Sequence, residues 1–434
     1  MQDGTQRSKV VVVGAGFGGL AVLRGLADQP VDVTVVDRNN FHTFLPLLYQ
    51  VASSGLNAAD VAHPIRAIVA RHGNIDVRHG TVEGADLDRR EVLVAGQAAI
   101  PFDHLVLAAG STANDFGIPG VAEHGYPLYT LDDAARLRNR VLERFEAAAL
   151  DQSLIDDGAL TFAIVGGGPT GVETAGALAE LFDKVLRDDF HTLPVQRARV
   201  VLIEMADALL TPFGDRSRQH ALDALRRRGV EVRLSTRVSS VGPDHVVLDG
   251  GERLPSHTLV WAAGIRANPL AAALGLEQGP GGRIAVERDL SVPDRPGVWV
   301  IGDLAHTPGS TEDGAAAPQL APAAMQAGEL VAANILRTIG GEPTQPFRYR
   351  DRGTMATIGR RSAVAEIPGA PTLVGSVAWV AWLLLHLVML IGFRNRVSVL
   401  VNWAWNYLTW DRGPRLIFGP GAERTDRPAG TPPS

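Results

Sequence analysis

Two glycine-rich turns constrain the fold of this chain more than any other feature. The first, Gly14-Ala-Gly16-Phe-Gly18-Gly19, follows an apolar run, and the second, Gly166-Gly-Gly168-Pro-Thr-Gly171, follows another. A strand that turns through glycines into a helix offers a diphosphate free backbone N–H groups and the positive end of the helix. One such motif is weak evidence because glycine-rich turns are common. Two in the same setting predict two bound dinucleotides, with electrons moving between them.

An acidic residue ends the second strand of each predicted unit. Asp37 comes 18 residues after Gly19, and Glu204 comes 33 residues after Gly171. A carboxylate at this place accepts the hydroxyls of an adenosine ribose, although an ordinary strand-end acid is the alternative for Asp37. No arginine adjoins Glu204, which favours a free 2′-hydroxyl and therefore NADH over NADPH. The longer second gap predicts an extended helix or an insertion.

A second pattern is duplicated with the turns. The run Leu105-Val-Leu-Ala-Ala-Gly110 returns as Leu259-Val-Trp-Ala-Ala-Gly264, which indicates an internal repeat of a whole nucleotide-binding unit. A later strand ends in Gly302-Asp303 and is placed to return to the first domain, where Asp303 can bind a cofactor sugar or ribityl chain. Hydrophobic patterning further predicts paired strands in 75–94, an amphipathic helix in 131–150, helices in 173–186 and 315–339, and a core helix in 40–52.

Composition limits the classes of chemistry. The formal net charge of −6 and the pI near 6.1 argue against nucleic acid as the main partner. Cysteine is absent, so the chain has no disulfide, thiolate metal site or cysteine redox relay, and redox chemistry must sit on a bound cofactor. No metal is expected. The apolar run at 10–13 is too short for a signal peptide, and we expect the core to face the cytoplasm.

The C-terminal region differs in charge and composition. Residues 345–434 contain 11 Arg and 5 acidic residues, against 30 basic and 42 acidic residues elsewhere, which suggests an anionic lipid surface or a solvated basic face. No charged residue occurs in 367–393, and five of the seven Trp lie in two apolar segments, 374–393 and 397–410. We predict monotopic membrane association through one helical stripe. The alternatives are one spanning helix or a buried dimer interface. The stripe consists of Trp379, Trp382, Leu383, Leu387 and Leu390.

Several segments together resemble the type II NADH dehydrogenases, the non-proton-pumping NADH:quinone oxidoreductases of the two-dinucleotide-binding flavoproteins. They are Phe41-His-Thr-Phe-Leu-Pro-Leu-Leu-Tyr-Gln-Val-Ala52, Gly166-Gly-Gly-Pro-Thr-Gly-Val-Glu173, the stretch 349–360, and 386–409 with Gly-Phe-Arg-Asn-Arg and Asn-Trp-Ala-Trp-Asn-Tyr. The resemblance extends from Val10 to about Phe418. It implies an α/β fold of two Rossmann-like domains, the second inserted in the first, with a C-terminal membrane-associating helical region.

The resemblance also implies the site residues. FAD is expected at Gly14, Gly16, Phe17, Gly18, Gly19, Asp37, Arg38, Pro46, Gln50, Ala109, Gly110, Gly302 and Asp303. NADH is expected at Gly166, Gly168, Pro169, Thr170, Gly171, Glu173, Glu204, Ala263 and Gly264. Glu173 would assist proton handling or nicotinamide positioning, and the alternative is a helix N-terminal acid that favours the helix dipole. Quinone is expected near Tyr49, Gln50 and Gln326.

One position departs from the family pattern. The family often carries Ala-Gln-x-Ala-x-Gln near the quinone, whereas this chain has Ala321-Pro-Ala-Ala-Met-Gln326, so Pro322 removes one polar contact. We expect a peripheral enzyme on the cytoplasmic face of the cell membrane. The rivals are a soluble FAD-dependent NADH reductase of a ferredoxin-like protein, which requires a polar C-terminal surface, and a non-catalytic nucleotide sensor. The predicted domains are 1–118 with 280–345 for FAD, 119–279 for NADH, 346–418 for the membrane side, and a disordered tail at 419–434. A homodimer is left open.

Overall fold

The computed structural model describes residues 7–418, and the predicted disordered tail lies outside the described residues. The chain forms two compact units. The first contains residues 7–43, 62–114 and 265–353, and the second contains residues 44–61, 115–264 and 354–418. Each unit is assembled from three separate stretches of chain. The finer assignment of domains to cofactors and membrane remains a prediction.

The first unit is built on a six-stranded sheet. Its central strand, Ser8–Val13, pairs in parallel with Val31–Asp37 on one side and His104–Leu107 on the other. Valine dominates the two N-terminal strands, and Val10 to Val13 are all buried, as expected for a parallel sheet covered on both faces. In spatial order the strands are Ser291–Val292, Arg295–Val300, His104–Leu107, Ser8–Val13, Val31–Asp37 and Ile75–His79, of which only the first is antiparallel to its neighbour.

Two long helices of this unit pack at very short range. In Phe17–Leu26, a Cβ added at Gly25 would lie 2.5 Å from the Cβ of Ala332. That alanine belongs to Ala321–Ile339, which begins six residues later than predicted because Leu320 is still extended and Pro322 occupies the first turn, where a missing N–H does no harm. The shorter helices are Ile65–Val69 and Leu270–Ala273.

Smaller sheets complete the first unit. The paired strands predicted in 75–94 are present: Ile75–His79 joins the main sheet, and Val82–Asp86 and Glu91–Val94 form a hairpin. The hairpin is extended by Ile100–Pro101. The other pairs are Phe41–Thr43 with Ala62–Pro64, Ser111–Ala113 with Ile265–Ala267, and Ile284–Ala285 with Ala305–His306.

The second unit repeats the same sheet. Thr161–Val165 pairs in parallel with Arg199–Ile203 on one side and Thr258–Trp261 on the other, as the equivalent strands do in the first unit. All four neighbouring pairs are parallel. The spatial order is Gly125–Pro127, Thr258–Trp261, Thr161–Val165, Arg199–Ile203 and Glu231–Arg233. A separate antiparallel sheet contains Val238–Val241, His245–Leu248 and Arg253–Pro255.

The helices of the second unit follow the predictions with shifted ends. Leu131–Leu150 begins at a capping box between Thr130 and Asp133. The helix predicted at 173–186 begins earlier, at Pro169, because proline is well suited to a first helical turn. Its α-helical part is Pro169–Leu181, and it continues as one π-helical segment, Phe182–Leu186. The remaining helices before residue 354 are Leu48–Ala52, Ala58–Val61, Val121–His124, Arg187–Asp189 and Asp215–Arg227.

The predicted core helix at 40–52 is wrong in most of its length. The stretch starts as the strand Phe41–Thr43, passes through the 3₁₀ turn Leu45–Leu47 and becomes helical only at Leu48. Pro46 explains the break, because proline has no N–H for the hydrogen bond that a helix interior requires, and here it lies in the first turn of the 3₁₀ segment. Phe44, which precedes this segment, is non-helical, with ψ of 85°.

The end of the chain forms a small sheet followed by two helices. The strands Thr354–Gly359, Ser362–Glu366 and Leu373–Gly375 are antiparallel. We call Ser376–Met389 and Phe393–Thr409 the terminal helices; Gly392, with φ of 89°, lies at the turn between them. Among residues 7–418, no helix is both long and apolar enough to cross a membrane.

The membrane-facing stripe predicted on the first terminal helix is wrong for two of its residues. Trp382 and Leu390 are 1% exposed and pack against the protein, whereas Trp379, Leu383 and Leu387 are partly exposed. Apolar side chains cover the other side of the helix. The exposed ones are Val377, Val380, Leu384, Leu385 and Val388, followed on the second terminal helix by Phe393, Val397, Leu400, Val401, Trp405 and Leu408.

Candidate functional site

The first glycine turn joins a buried strand to a helix with little space to spare. Gly14 has φ of 99°, and a Cβ there would lie 2.5 Å from the carbonyl oxygen of Ala108. A Cβ on Gly19 would lie 1.9 Å from the oxygen of Gly14. Gly16, by contrast, has nothing within 4 Å of the position of a Cβ. The two tight glycines therefore shape the turn, and the open one leaves room for a ligand to approach the backbone.

Asp37 is tied to this turn by hydrogen bonds. One carboxylate oxygen accepts the N–H of Ala15 at 2.7 Å, and the other accepts the N–H of Asn39 at 2.7 Å. Burial raises the pKa of this carboxyl above its usual value, although both hydrogen bonds oppose the rise. Each oxygen keeps lone pairs, so the carboxylate can still accept hydroxyl groups of a ribose.

The other predicted residues of the first unit lie on turns of the same sheet. Gly110 and Gly302 both have positive φ, of 70° and 67°. Asp303 accepts the Ser111 hydroxyl at 2.7 Å, and its carbonyl oxygen accepts the side-chain amide of Gln319 at 3.1 Å. The carbonyl oxygens of Ala109 and Arg38 also take part in hydrogen bonds, the first with the Asn268 amide and the second with the His79 ring.

His42 adds to this site a residue that the sequence reasoning did not single out. Its Nδ1 lies 2.9 Å from the carbonyl oxygen of Ala15, and its ring meets Phe17 edge-on at 5.1 Å. Burial lowers the pKa of His42 to about 4, so the ring is neutral and Nδ1, which faces a carbonyl oxygen, carries the proton. Its buried Nε2 is then an acceptor without a hydrogen-bond partner among the described residues. A polar ligand at this turn would satisfy that nitrogen.

The second glycine turn has the same construction. Gly166 has φ of 111°, and a Cβ there would lie 2.4 Å from the oxygen of Ala262, next to Ala263. A Cβ on Gly171 would lie 1.8 Å from the oxygen of Gly166, whereas Gly168 is open. After this turn, Pro169 opens the helix, and the carbonyl oxygen of Thr170 accepts the Thr174 hydroxyl. Gly264 lies where a side chain would collide with the ring of Phe116, at 2.8 Å.

Glu204 occupies the place of Asp37 in this second turn. One oxygen accepts the N–H of Gly167, the residue equivalent to Ala15, and the other accepts the N–H of Ala206 at 2.7 Å. Both acids thus bind the middle residue of their turn and the residue two positions further along the chain. The duplication seen in the sequence therefore extends to individual hydrogen bonds.

Glu173 lies on the helix that follows the second turn. One of its oxygens accepts the N–H of Thr357 at 3.2 Å, and burial raises the pKa of its carboxyl to about 8. The helix begins at Pro169 and has no acidic residue in its first turn, so the explanation of Glu173 as a helix-terminal acid is wrong. A carboxyl that holds its proton at neutral pH can act as an acid.

Tyr49 and Gln50 lie on the helix Leu48–Ala52 of the second unit. Pro46 belongs to the same unit and lies in the preceding 3₁₀ turn, Leu45–Leu47. The Gln50 amide nitrogen donates to the Tyr49 hydroxyl at 2.8 Å, and Trp403 of the second terminal helix donates its indole N–H to the Gln50 oxygen at 2.8 Å. Gln326 belongs to the first unit, where its amide both donates to and accepts from the backbone of Arg350, at 3.0 and 2.9 Å. Pro322 occupies the first turn of that helix.

Comparisons with known proteins identify the family. Residues 8–328 match the family described as pyridine nucleotide-disulphide oxidoreductase, and residues 352–410 match the NDH2 C-terminal domain. The chain is 38% identical to the type II NADH:quinone oxidoreductase NdhA of Mycobacterium tuberculosis, over 95% of this chain and 89% of that protein. The chain belongs to the type II NADH:quinone oxidoreductases. This confirms the resemblance inferred from the sequence and the predicted α/β fold class.

Other members of this family agree with the assignment. The type II NADH:quinone oxidoreductase of Staphylococcus aureus is 30% identical, over 84% of this chain and 91% of that protein. NDH2 from Plasmodium falciparum, solved in complex with NADH, has the same fold, with a TM-score of 0.86 at 18% identity over 95% of this chain and all of that chain. A sulfide:quinone oxidoreductase from Aquifex aeolicus shares the fold less closely, with a TM-score of 0.70 at 18% identity over 90% and 92% of the two chains.

Sequence reasoning missed one buried ion pair of this type II enzyme. Arg412 is 9% exposed, lies 3.7 Å from Glu180, and donates to the carbonyl oxygens of Ser53 and Ala177 at 2.9 and 3.2 Å. It follows the second terminal helix and so fastens the end of the described chain to the helix that carries Glu173. Nothing in the local sequence around Arg412 signals this partner, which is more than 200 positions away.

Proposed function

We propose that this chain oxidises NADH and passes the two electrons through FAD to a membrane quinone, without pumping protons. The match of residues 352–410 to the NDH2 C-terminal domain carries this proposal, because glycine turns alone indicate only the wider superfamily. The relatives named NADH:quinone oxidoreductases cover nearly the whole chain, which supports the same donor and acceptor here.

FAD fits the residues of the first turn. The open space at Gly16 suits a diphosphate, the Asp37 carboxylate suits a ribose, and the unpartnered Nε2 of His42 suits a polar group of the ligand. Gly302 and Asp303 would hold the rest of the cofactor. When bound, FAD supplies the capacity to accept a hydride and to release an electron pair.

NADH fits the second turn for the same reasons. Gly168 is open, and the Glu204 oxygens keep lone pairs for the ribose hydroxyls. A carboxylate at that place repels a 2′-phosphate, which favours NADH over NADPH. Glu173, with a proton at neutral pH, would exchange protons during turnover, while Tyr49, Gln50 and Gln326 would lie on the quinone side.

The terminal helices supply the membrane contact in this proposal. Their exposed side chains include Leu384, Val388, Leu400 and Leu408, which are 52–78% exposed. Apolar side chains of this size on consecutive helices, followed by an Arg-rich chain end, suit the interface of a bilayer with anionic headgroups. A soluble reductase of a ferredoxin-like protein would need a polar surface here, so the rival function is not favoured. We place the enzyme on the cytoplasmic face.

An anaerobic titration tests the function. NADH is added to the purified protein with FAD, flavin absorption is followed, and a quinone is then added. Bleaching by NADH and recovery with quinone at a catalytic rate support the proposal. Bleaching without recovery would refute quinone as the acceptor, and no bleaching would refute the dehydrogenase assignment.

Flotation with anionic vesicles tests the membrane contact. Leu400→Gln with Leu408→Gln should lower vesicle binding and leave flavin reduction by NADH unchanged. Leu150→Gln with Met205→Gln, two other exposed apolar residues, is the matched control. Equal binding of all three proteins would contradict the assignment of this surface to lipid.

A further inference from the structure

Three side chains of the second unit form one continuous hydrogen-bond chain. The Trp403 Nε1–H donates to Gln50 Oε1 at 2.8 Å, and Gln50 Nε2 donates to the Tyr49 hydroxyl at 2.8 Å. Tyr49 is 7% exposed. This series of hydrogen bonds therefore connects the second terminal helix to the buried phenol of Tyr49 on the helix Leu48–Ala52.

Trp403 determines the orientation of the Gln50 amide in this series of hydrogen bonds. An indole N–H can only donate, so the atom of Gln50 that faces it must be the oxygen. The amide nitrogen then faces Tyr49 and donates to the phenol oxygen. Because that oxygen already accepts a hydrogen bond from Gln50, the phenol proton is left to be donated elsewhere. If the amide were reversed, Gln50 would present its oxygen to Tyr49 and draw in the phenol proton.

The packing around the chain holds the rings in place. Trp382 is 1% exposed and lies between the two ends of the chain, with its ring 6.2 Å from the rings of both Tyr49 and Trp403. Polar side chains dock the helix that carries Trp403: Asn402 donates to the Asp60 carboxylate at 3.0 Å, and Asn406 donates to the carbonyl oxygen of Gly55 at 3.0 Å. The Trp403 indole is thus fixed relative to Gln50.

The Tyr49 hydroxyl also keeps its proton at neutral pH. Burial, and after it the charge of Glu173, raises the pKa of Tyr49 well above its usual value. The Glu173 carboxyl, with a pKa of about 8, holds a proton as well. Both groups therefore carry a proton at neutral pH.

We propose that Trp403 is a positioning residue for quinone reduction: by fixing the Gln50 amide, it keeps the Tyr49 proton available to the quinone. This rests on the proposed function. In the step, the Tyr49 O–H bond breaks and an O–H bond forms on one quinone oxygen. FAD, when bound, would supply the electron pair and the second proton. Tyr49 then regains a proton that comes from solvent, so NADH, one proton and quinone give NAD⁺ and quinol.

Trp403→Phe tests this assignment because it keeps an aromatic ring and removes only the donor. We expect anaerobic reduction of the flavin by NADH to keep its rate, whereas reoxidation by a soluble quinone analogue slows about fivefold, the factor that corresponds to one hydrogen bond of about 1 kcal/mol. The solvent deuterium isotope effect on reoxidation should rise. Trp299→Phe, which removes a buried indole N–H that has no hydrogen-bond partner among the described residues, is the control and should leave both rates unchanged.

The double variant separates positioning from general stability. Since Trp403 acts through Tyr49, Trp403→Phe should add nothing to the defect of Tyr49→Phe in quinone-dependent reoxidation. Multiplication of the two defects would overturn the proposal, as would an unchanged reoxidation rate or isotope effect in Trp403→Phe. Failure of the wild-type protein to reoxidise with any quinone would instead overturn the proposed function.

Discussion

The choice between NADH and NADPH should depend on one negative charge. Glu204→Gln removes the charge of the carboxylate and keeps one side-chain oxygen for the turn, while its amide nitrogen would face one of the two backbone N–H groups that Glu204 accepts. We expect the preference of the enzyme for NADH over NADPH to fall, because the 2′-phosphate of NADPH no longer meets a like charge. The side chain keeps its size and shape, since Gln is the isostere of Glu, and the turn loses one of its two acceptors.

The size of the effect follows from the position of Glu204. Two unit charges 4 Å apart interact by about 4 kcal/mol at an effective dielectric of 20 and by about 1 kcal/mol in bulk water. Glu204 is partly buried, which places it between these limits. An effect of about 2 kcal/mol corresponds to an approximately 30-fold change in the ratio of kcat/KM for the two donors.

Glu204→Arg should change the donor preference further than Glu204→Gln, but it also disturbs the turn. Arginine pairs with a phosphate, so NADPH should become relatively favoured. The variant also removes the acceptor of two backbone N–H groups, those of Gly167 and Ala206, and so loosens the turn. We therefore expect NADH to bind more weakly in this variant than in Glu204→Gln.

Steady-state kinetics with both donors measure these changes, at fixed ionic strength and with one quinone. Glu146→Gln, which removes an exposed acid from the same unit, is the control for net charge. The preference of the Gln variant should also become less sensitive to salt than that of the wild-type protein. An unchanged donor ratio in both Glu204 variants would refute the assignment of this residue to the ribose.

Three further changes address other parts of the molecule. The folded Glu173 carboxyl, with a pKa of about 8, holds a proton that the unfolded chain releases near pH 4.5. The free energy of unfolding of the wild-type protein should therefore fall by up to about 5 kcal/mol between pH 5 and 8, and Glu173→Gln should remove this loss. Thermal midpoints of both proteins at pH 6 and 8.5 measure this, and parallel pH curves would contradict it. Asp37→Asn should retain less FAD after gel filtration, and its apoprotein should be less stable by about 1–3 kcal/mol, because the amide nitrogen would face one of the two backbone N–H groups that donate to the carboxylate; full FAD retention would contradict the assignment of Asp37 to the ribose. Asp60→Asn should weaken the docking of the second terminal helix by about 1–3 kcal/mol, because its amide nitrogen would face groups that donate to the carboxylate. Faster hydrogen exchange in 393–409 measures this, with Asp411→Asn as the control.

Local sequence was sufficient to predict the two glycine turns between strand and helix. The geometry of a turn between strand and helix is decided by the glycines themselves, and the acid at the next strand end is a short distance away in sequence. The predictions for Gly14, Gly166, Asp37 and Glu204 therefore needed no knowledge of distant contacts. Both turns have the expected tight backbone, and both acids bind their own turn.

Long-range contacts explain what the sequence did not reveal. Trp382 and Leu390 were assigned to the lipid with the rest of their stripe because aromatic residues mark membrane interfaces, but these two residues pack against the protein. The second terminal helix turns polar side chains inward, where Ser398 and Asn402 bind Asp60, and leaves leucines outside. Hydrophobic periodicity shows which residues share one side of a helix, but not whether that side faces lipid or protein. The orientation can be assigned only when the packing partner of the helix is known. The link from Trp403 to Gln50 spans 353 positions and is equally invisible.

The two turns differ in one pair of residues, and the difference tests whether acid and turn are matched. The first combines Ala15 with Asp37, and the second combines Gly167 with the longer Glu204. A Cβ added at Gly167 would lie 2.9 Å from Glu204 Cγ and 2.7 Å from Leu209 Cδ2, so the extra methylene of Glu occupies the space of an alanine side chain. Gly167→Ala should therefore lower the thermal midpoint, by a free energy of about 1–3 kcal/mol typical of overpacking. Glu204→Asp in the same chain should recover part of that loss, because it shortens the acid and recreates the first pair. Additive effects of the two substitutions in a double-mutant cycle would show that turn and acid are independent.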